Sequence, residues 1–237
     1  QFYGVTGPSE YSTVWQLAIE QIHYRRSTTQ KHCAGSFTAW LRLGEIAAHS
    51  IVCEPYNKQS LERALHQIRS KTSQSIELCH AEIVKLLMKH GVALVFVPGI
   101  PGAPIYGATR WLTSSKALVQ MSLRGKDDGN FWFTLFHELA HVLLHGKRDI
   151  FLELDGGSTS DKEAEADIFA RDFLIPRDPY NKFLASLGAN VEEVSFLRVS
   201  KESIRRFAEY VGVSPGVVVG RLQRERWIPY THCNELK

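Results

Sequence analysis

The sequence predicts an α+β protein in which a small sheet packs on one buried helix, between a helical N-terminal segment and a helical C-terminal segment. Three observations predict it. Apolar residues recur at helical spacing as far as about residue 90. From Val92 the pattern changes to short apolar runs separated by Pro, Gly and Ser. Residues 131–145 then form a run that is apolar nearly all round, the mark of a buried helix. The expected organisation is a helical segment over residues 1–90, a mixed core over 91–190 and a helical segment over 191–237.

Each element has a local cause. Val14, Trp15, Ile19 and Ile22 share one helical face, as do Leu61, Ala64, Leu65 and Ile68. Phe37, Trp40, Leu41 and Leu43 follow the same pattern less cleanly. Ile76 to His90 reads as a further helix, with Gly91 as its stop. Val92 to Val97 fits a buried strand, and Pro98 to Pro104 must be loop. Gly107 to Leu112 and Lys116 to Arg124 read as two more strands. In the second, Ala117, Val119 and Met121 alternate with Leu118, Gln120 and Ser122, which gives a partly polar face. Asn130 is placed to cap the helix Phe131 to His145, which Gly146 ends. Arg148 to Leu154 is a candidate strand and Asp155 to Ser160 a polar loop. A helix from Asp161 to Leu174 stops before Pro176. Helices near Lys201 to Tyr210 and Pro215 to Arg226 close the chain.

Composition excludes several classes. The 237 residues are 44% hydrophobic and 22% charged, enough apolar surface to offset chain entropy, so the chain as a whole is not disordered. No apolar run approaches the roughly 20 residues of a membrane span. A net charge of +3 is too mild to imply nucleic-acid binding by itself. Cys33, Cys53, Cys79 and Cys233 are scattered and form no disulfide pattern, which points to reduced thiols and a cytoplasmic location.

The chemistry concentrates in Phe131-Trp-Phe-Thr-Leu-Phe-His-Glu-Leu-Ala-His-Val-Leu-Leu-His145. Imidazoles and a carboxylate inside an apolar helix are costly unless they are paired or bind a metal. His137 and His141 are four apart, so they share a face and can hold one ion. Glu138 is turned about 100° from His137, beside the open coordination position. This is the H-E-x-x-H signature of zinc hydrolases.

A catalytic zinc needs a third protein ligand. His145 lies eight residues beyond His137, roughly 12 Å along the helix, too far for the same ion. We read it as a helix-end residue interacting with the helix dipole. The acidic helix after Ser160 is the better source. Glu163 and Asp167 share a face, so one can ligate while the other accepts the free N–H of a ligand histidine. Ser160-x-x-Glu163 also reads as a capping box that would turn Glu163 back to the helix start. Glu165 would then be the alternative ligand. Spacing favours Glu163.

At these residues the chain resembles the ImmA/IrrE metallopeptidase family. The resemblance rests on Trp132 to His145, on Glu163-Ala-Glu-Ala-Asp-Ile-Phe-Ala170 and on Phe173-Leu-Ile-Pro176. It extends to Ala39-Trp-Leu-Arg42, Gly107-Ala-Thr-Arg-Trp-Leu112 and Gly216-Val-Val-Val-Gly-Arg-Leu-Gln223, which look like a subgroup of regulators or antitoxin-like proteins. It implies a zincin-like core, Glu163 as third ligand and Asp167 as the acid four residues on. It also implies a protein substrate such as a repressor or antitoxin, and a DNA-binding domain upstream of Gln1.

The expected cofactor is Zn2+, with Mn2+ or Fe2+ as other occupants of such a site. The metal would lower the pKa of its water to about 7. Glu138 would take the proton and pass it to the leaving amine. The strand Lys116 to Arg124, if at a sheet edge, would receive the substrate by β-augmentation. Residues 198–237 carry a net charge of +4, and Phe207 to Val213 resembles the turn of a helix-turn-helix. Arg221, Arg224 and Arg226 are therefore candidates for phosphate contact. The competing reading is a packed helix pair with a solvated basic face, since Val217 to Val219 require a core. The rival to a peptidase is a transcriptional regulator that uses the same fold for sensing or interaction.

Overall fold

The computed structural model describes residues 2–7, 10–15, 34–122, 124, 127–147, 150–154, 160–189 and 196–237. Residues 10–15 are helical, and the described chain continues with three helices, α1 (Ala34–His49), α2 (Lys58–Ser70) and α3 (Ile76–Met88). Strands β1 (Val92–Phe96), β2 (Ile105–Thr113) and β3 (Lys116–Met121) follow. The long helix α4 (Asp128–Leu144) precedes strand β4 (Phe151–Leu154). Helices α5 (Asp161–Leu174), α6 (Arg177–Ser186), α7 (Lys201–Val211) and α8 (Pro215–Arg224) complete the chain. The arrangement is α+β, as expected. Ile19, Ile22 and Cys33 lie outside the described residues, as does the start of the strand expected from Arg148. Helix α6 had no counterpart in the sequence reading. It begins directly after Pro176, which ends α5 and caps α6. No helix among the described residues is long and apolar enough to cross a membrane.

The sheet has the order β1-β3-β2-β4. β1 runs parallel to β3, with Val92 opposite Ala117 and Phe96 opposite Met121. β2 is antiparallel to both β3 and β4. The expectation that Lys116 to Arg124 offers a sheet edge is therefore wrong. Neighbours on both sides occupy the β3 backbone, and β4 is an outer strand instead.

Both faces of the inner sheet are covered, as usual for a parallel pair. Val92, Leu94, Ala117, Val119 and Met121 face the larger core, shared with α2 to α8. Ala93, Val95 and Leu118 face a second core under α1, with Phe37, Trp40 and Leu41. This explains the polar residue in β3. Gln120 is buried beneath α1, not solvated, and its Nε2 donates to the Trp40 carbonyl at 2.7 Å. A buried amide is tolerated when it is hydrogen-bonded in this way.

Helix α4 starts earlier than expected. Asp127, not Asn130, is the N-cap, and its carboxylate accepts from Asn130 N at 2.9 Å. Helix α8 crosses α4 at very close range. A Cβ on Gly129 would lie 2.5 Å from the Gly216 carbonyl oxygen.

Two arginines hold the end of α5, where most of the last carbonyls lack a backbone partner within the helix. Arg69 of α2 donates to the carbonyls of Phe173 and Leu174 at 2.9 and 2.8 Å. Arg221 of α8 donates to those of Arg171 and Ile175 at 3.2 and 2.6 Å. Arg221 is thus a structural tie with a side chain only 8% exposed, which favours the packed-helix reading of the C-terminal segment over phosphate contact.

Gly129→Ala tests the helix crossing. Alanine normally gains about 1 kcal/mol over glycine in a helix. Here the clash should reverse the sign and cost about 1–3 kcal/mol, measured by urea denaturation. A stabilised variant would show that the crossing has room to spare.

Candidate metal centre

Helices α4 and α5 bring three ligand groups together. His137 and His141 lie one turn apart on α4, and Glu163 sits in the first turn of α5. All three are buried, at 1–2% exposure. His137 Nε2 is 3.1 Å from Glu163 Oε2 and 3.0 Å from His141 Nε2. His141 Nε2 is 3.5 Å from the same carboxylate oxygen. Ligands about 2.0–2.1 Å from a tetrahedral ion lie roughly 3.4 Å from one another. The three atoms therefore fit a divalent metal, and their donor set of two imidazoles and a carboxylate suits zinc-type ions. The cluster is the metal-competent grouping found among the described residues.

Of the two candidate acids, Glu163 is the one whose carboxylate lies in the cluster. Ser160 is the N-cap and its hydroxyl accepts from Glu163 N at 3.4 Å, so one half of the box forms. The Glu163 carboxylate turns to the histidines instead of the helix start. Glu165, the alternative ligand, is not in the cluster. Its side chain is 63% exposed and its Oε2 lies 3.2 Å from His145 Nε2.

Each histidine of the cluster is backed at its far nitrogen. His137 Nδ1 donates to Asp167 Oδ1 at 2.9 Å, the role expected for Asp167. His141 Nδ1 is 2.8 Å from His145 Nδ1. With a metal on its Nε2, His141 would carry its proton on Nδ1 and donate it to His145, whose own proton would then sit on Nε2, facing Glu165. The sequence reading of His145 as a helix-end residue missed this contact. The cause is local: α4 ends at Leu144, and the extended backbone of His145 folds its ring back toward His141. Phe151 of β4 stacks on the His141 ring, with centroids 4.0 Å apart.

Glu138 is fully buried against β2. Thr109 Oγ1 donates to Glu138 Oε2 at 2.6 Å. A Cβ on Gly107 would lie 2.5 Å from Glu138 Oε1, so this strand position must be glycine for the carboxylate to fit. Gly107 and Thr109 are two apart in β2 and so share the face turned to α4.

Burial and charge set the protonation states. Burial pushes His141 down to about 4, with the Glu163 hydrogen bond pulling the other way. The ring is thus neutral, as a ligand must be. Burial raises the Asp167 carboxyl, but His137 and Arg224 outweigh it and hold it below the ordinary carboxylate range.

Residues 118–223 match the model of the Peptidase_M78 family, described as the IrrE N-terminal-like domain. The match supports an ImmA/IrrE-family domain over that span. Curated proteins give no match to the chain. The matched span runs from β3 into α8 and holds the whole cluster together with Glu138 and Asp167. A cavity of about 660 Å3 adjoins this part of the matched span. Its walls include Tyr106 of β2, Phe133 of α4, Asp167 of α5, Arg224 of α8 and Tyr230. Thr109, His145, Phe151 and Arg224 were not assigned to the site from sequence. For Thr109 a signal existed, the Gly107-x-Thr109 alternation within a strand. For Arg224 and Phe151 there was none, because their positions depend on how distant elements dock.

Two outcomes are expected. Glu163→Ala should weaken metal binding by orders of magnitude, whereas Glu165→Ala should retain it; equal losses in a chelator-competition titration would refute the ligand assignment. The second concerns pH. His141 takes its proton near 6.5 when unfolded and near 4 when folded. Between those values the unfolded chain binds more protons, so stability of the metal-free protein should fall as pH drops from about 6.5 to about 4. His141→Gln should flatten that slope in denaturation measured at pH 7 and pH 5.

Proposed function

We propose that this protein is a zinc-dependent endopeptidase with a zincin-like core that cleaves a regulatory protein such as a repressor or antitoxin. The observation that carries the reading is the buried His137–His141–Glu163 cluster with Glu138 on the same helix, inside a Peptidase_M78 match. Zinc is preferred because neutral imidazoles and one carboxylate form a common catalytic donor set for it. The substrate class follows from the regulator-like resemblance noted in the sequence.

His137, His141 and Glu163 would hold the ion. When bound, it supplies Lewis-acid activation of a water and of the scissile carbonyl. Glu138 is the general base. Its carboxylate accepts the water proton and later delivers it to the leaving amine. Thr109 fixes one oxygen of that carboxylate, and Gly107 leaves it space against β2. Asp167 and His145 hold the ligand rings in the tautomer that presents Nε2. The extended substrate is assigned to β4, the outer strand that carries Phe151 over His141, in place of β3.

The test is Glu138→Gln, which removes the base and keeps side-chain volume. It should bind metal as the wild type does, while cleavage of the cognate repressor falls about 10²–10⁴-fold. Cleavage at the wild-type rate would sink the mechanism.

A further inference from the structure

We propose that Arg224 is a positioning residue of the metal centre, acting through Asp167, so that helix α8 is part of the site. The inference rests on the metal-binding reading of the cluster. Arg224 Nη2 donates to Asp167 Oδ2 at 2.9 Å, and His137 Nδ1 donates to Asp167 Oδ1 at 2.9 Å. The two donors take different oxygens of one carboxylate, so its plane is fixed from both sides. The guanidinium also lies over the Phe133 ring, 4.3 Å from its centroid. Phe133 is one turn before His137 on α4, with its ring 6.1 Å from the His137 ring. Arg224 is therefore anchored to the same helix that presents the ligand.

The need for such a clamp follows from exposure. His137 is 1% exposed, but the Asp167 side chain is 39% exposed. A carboxylate so placed has water as a competing partner and several rotamers open to it. Fixing its second oxygen holds the first toward Nδ1, which sets the tautomer and orientation of His137. Arg224 is itself 44% exposed and lines the 660 Å3 cavity beside Asp167, so the clamp forms a wall of the space next to the cluster. Arg224 lies one residue beyond the span matched by the family model.

The bland role for this ion pair would be to staple α8 to α5. Other contacts already do that. Arg221 bonds the end of α5, and the Gly129–Gly216 crossing seats α8 on α4. Removing the Arg224 charge should therefore leave the helix in place.

The experiment uses the full chain and Co2+ as probe, with affinity from chelator competition and geometry from the visible absorption bands. Arg224→Ala should weaken Co2+ binding about 10-fold, the lower end for groups behind a ligand, and alter the bands. Arg224→Lys, which restores a point charge without the fork, should recover part of the loss. Arg224→Met keeps packing on Phe133 without charge; it should behave as alanine does and decides the matter if the alanine variant fails to fold. On an Asp167→Ala background, Arg224→Ala should change nothing further. Wild-type affinity and bands in both uncharged variants would overturn the inference alone. A loss that persists without Asp167 would do the same. A wild-type chain that binds no Co2+ would overturn the metal reading and this inference with it.

Discussion

The structure depends on the cost of placing two imidazoles and a carboxylate in the interior face of one apolar helix. Helix α4 is buried on nearly every side, and His137, Glu138 and His141 are each at most 1% exposed. Such groups are costly to bury unless they are hydrogen-bonded or paired. The surrounding elements can be read as the supply of those partners. α5 brings Glu163 and Asp167, β2 brings Thr109, and the turn after α4 returns His145. A helix that packs by apolar contacts alone could shift by a fraction of a turn. One that must satisfy these bonds is held in register.

That requirement propagates outward. Glu163 and Asp167 reach the histidines only if α5 is fixed along its length, and its far end is tied by Arg69 from α2 and Arg221 from α8. The same Arg221 guanidinium lies 3.7 Å from the centroid of the Tyr180 ring of α6. The C-terminal helices therefore contact α5 at two places, at its end and through Arg224 at Asp167. On the other side, Gly107 lets β2 approach Glu138 closely enough for Thr109 to bond it. The sheet is a rigid wall for this purpose because both of its faces are covered, one by the larger core and one by α1.

Much of this was legible in the chain. The four-residue spacing of His137 and His141 fixes their common face whatever the helix packs against. The change from helical to strand-like periodicity at Val92 marked the start of the sheet. Glu163 was separable from Glu165 because only Glu163 has an acid four residues on. The strand order was not legible. Periodicity says that Lys116 to Met121 alternates, not which strands flank it, so an interior strand was read as an edge. Gln120 misled for the same reason, since an alternating polar residue looks solvent-facing until α1 is placed over it. The basic C-terminal charges looked like a surface, yet Arg221 is buried against backbone carbonyls and the part-exposed Arg224 is paired with Asp167.

By itself the sequence determined the α+β character, the buried helix and the two histidines with their glutamate. These follow from covalent spacing on a helix, which needs no other element. The tertiary structure placed Glu163 rather than Glu165 beside the histidines, and it alone decided the partner of His141, which strands lie outside, and that α8 touches Asp167. Many of those contacts join residues 26 to 57 positions apart, such as Glu163 to His137 and Arg224 to Asp167. No local pattern encodes them, because they arise only when separate helices dock against the same buried polar groups.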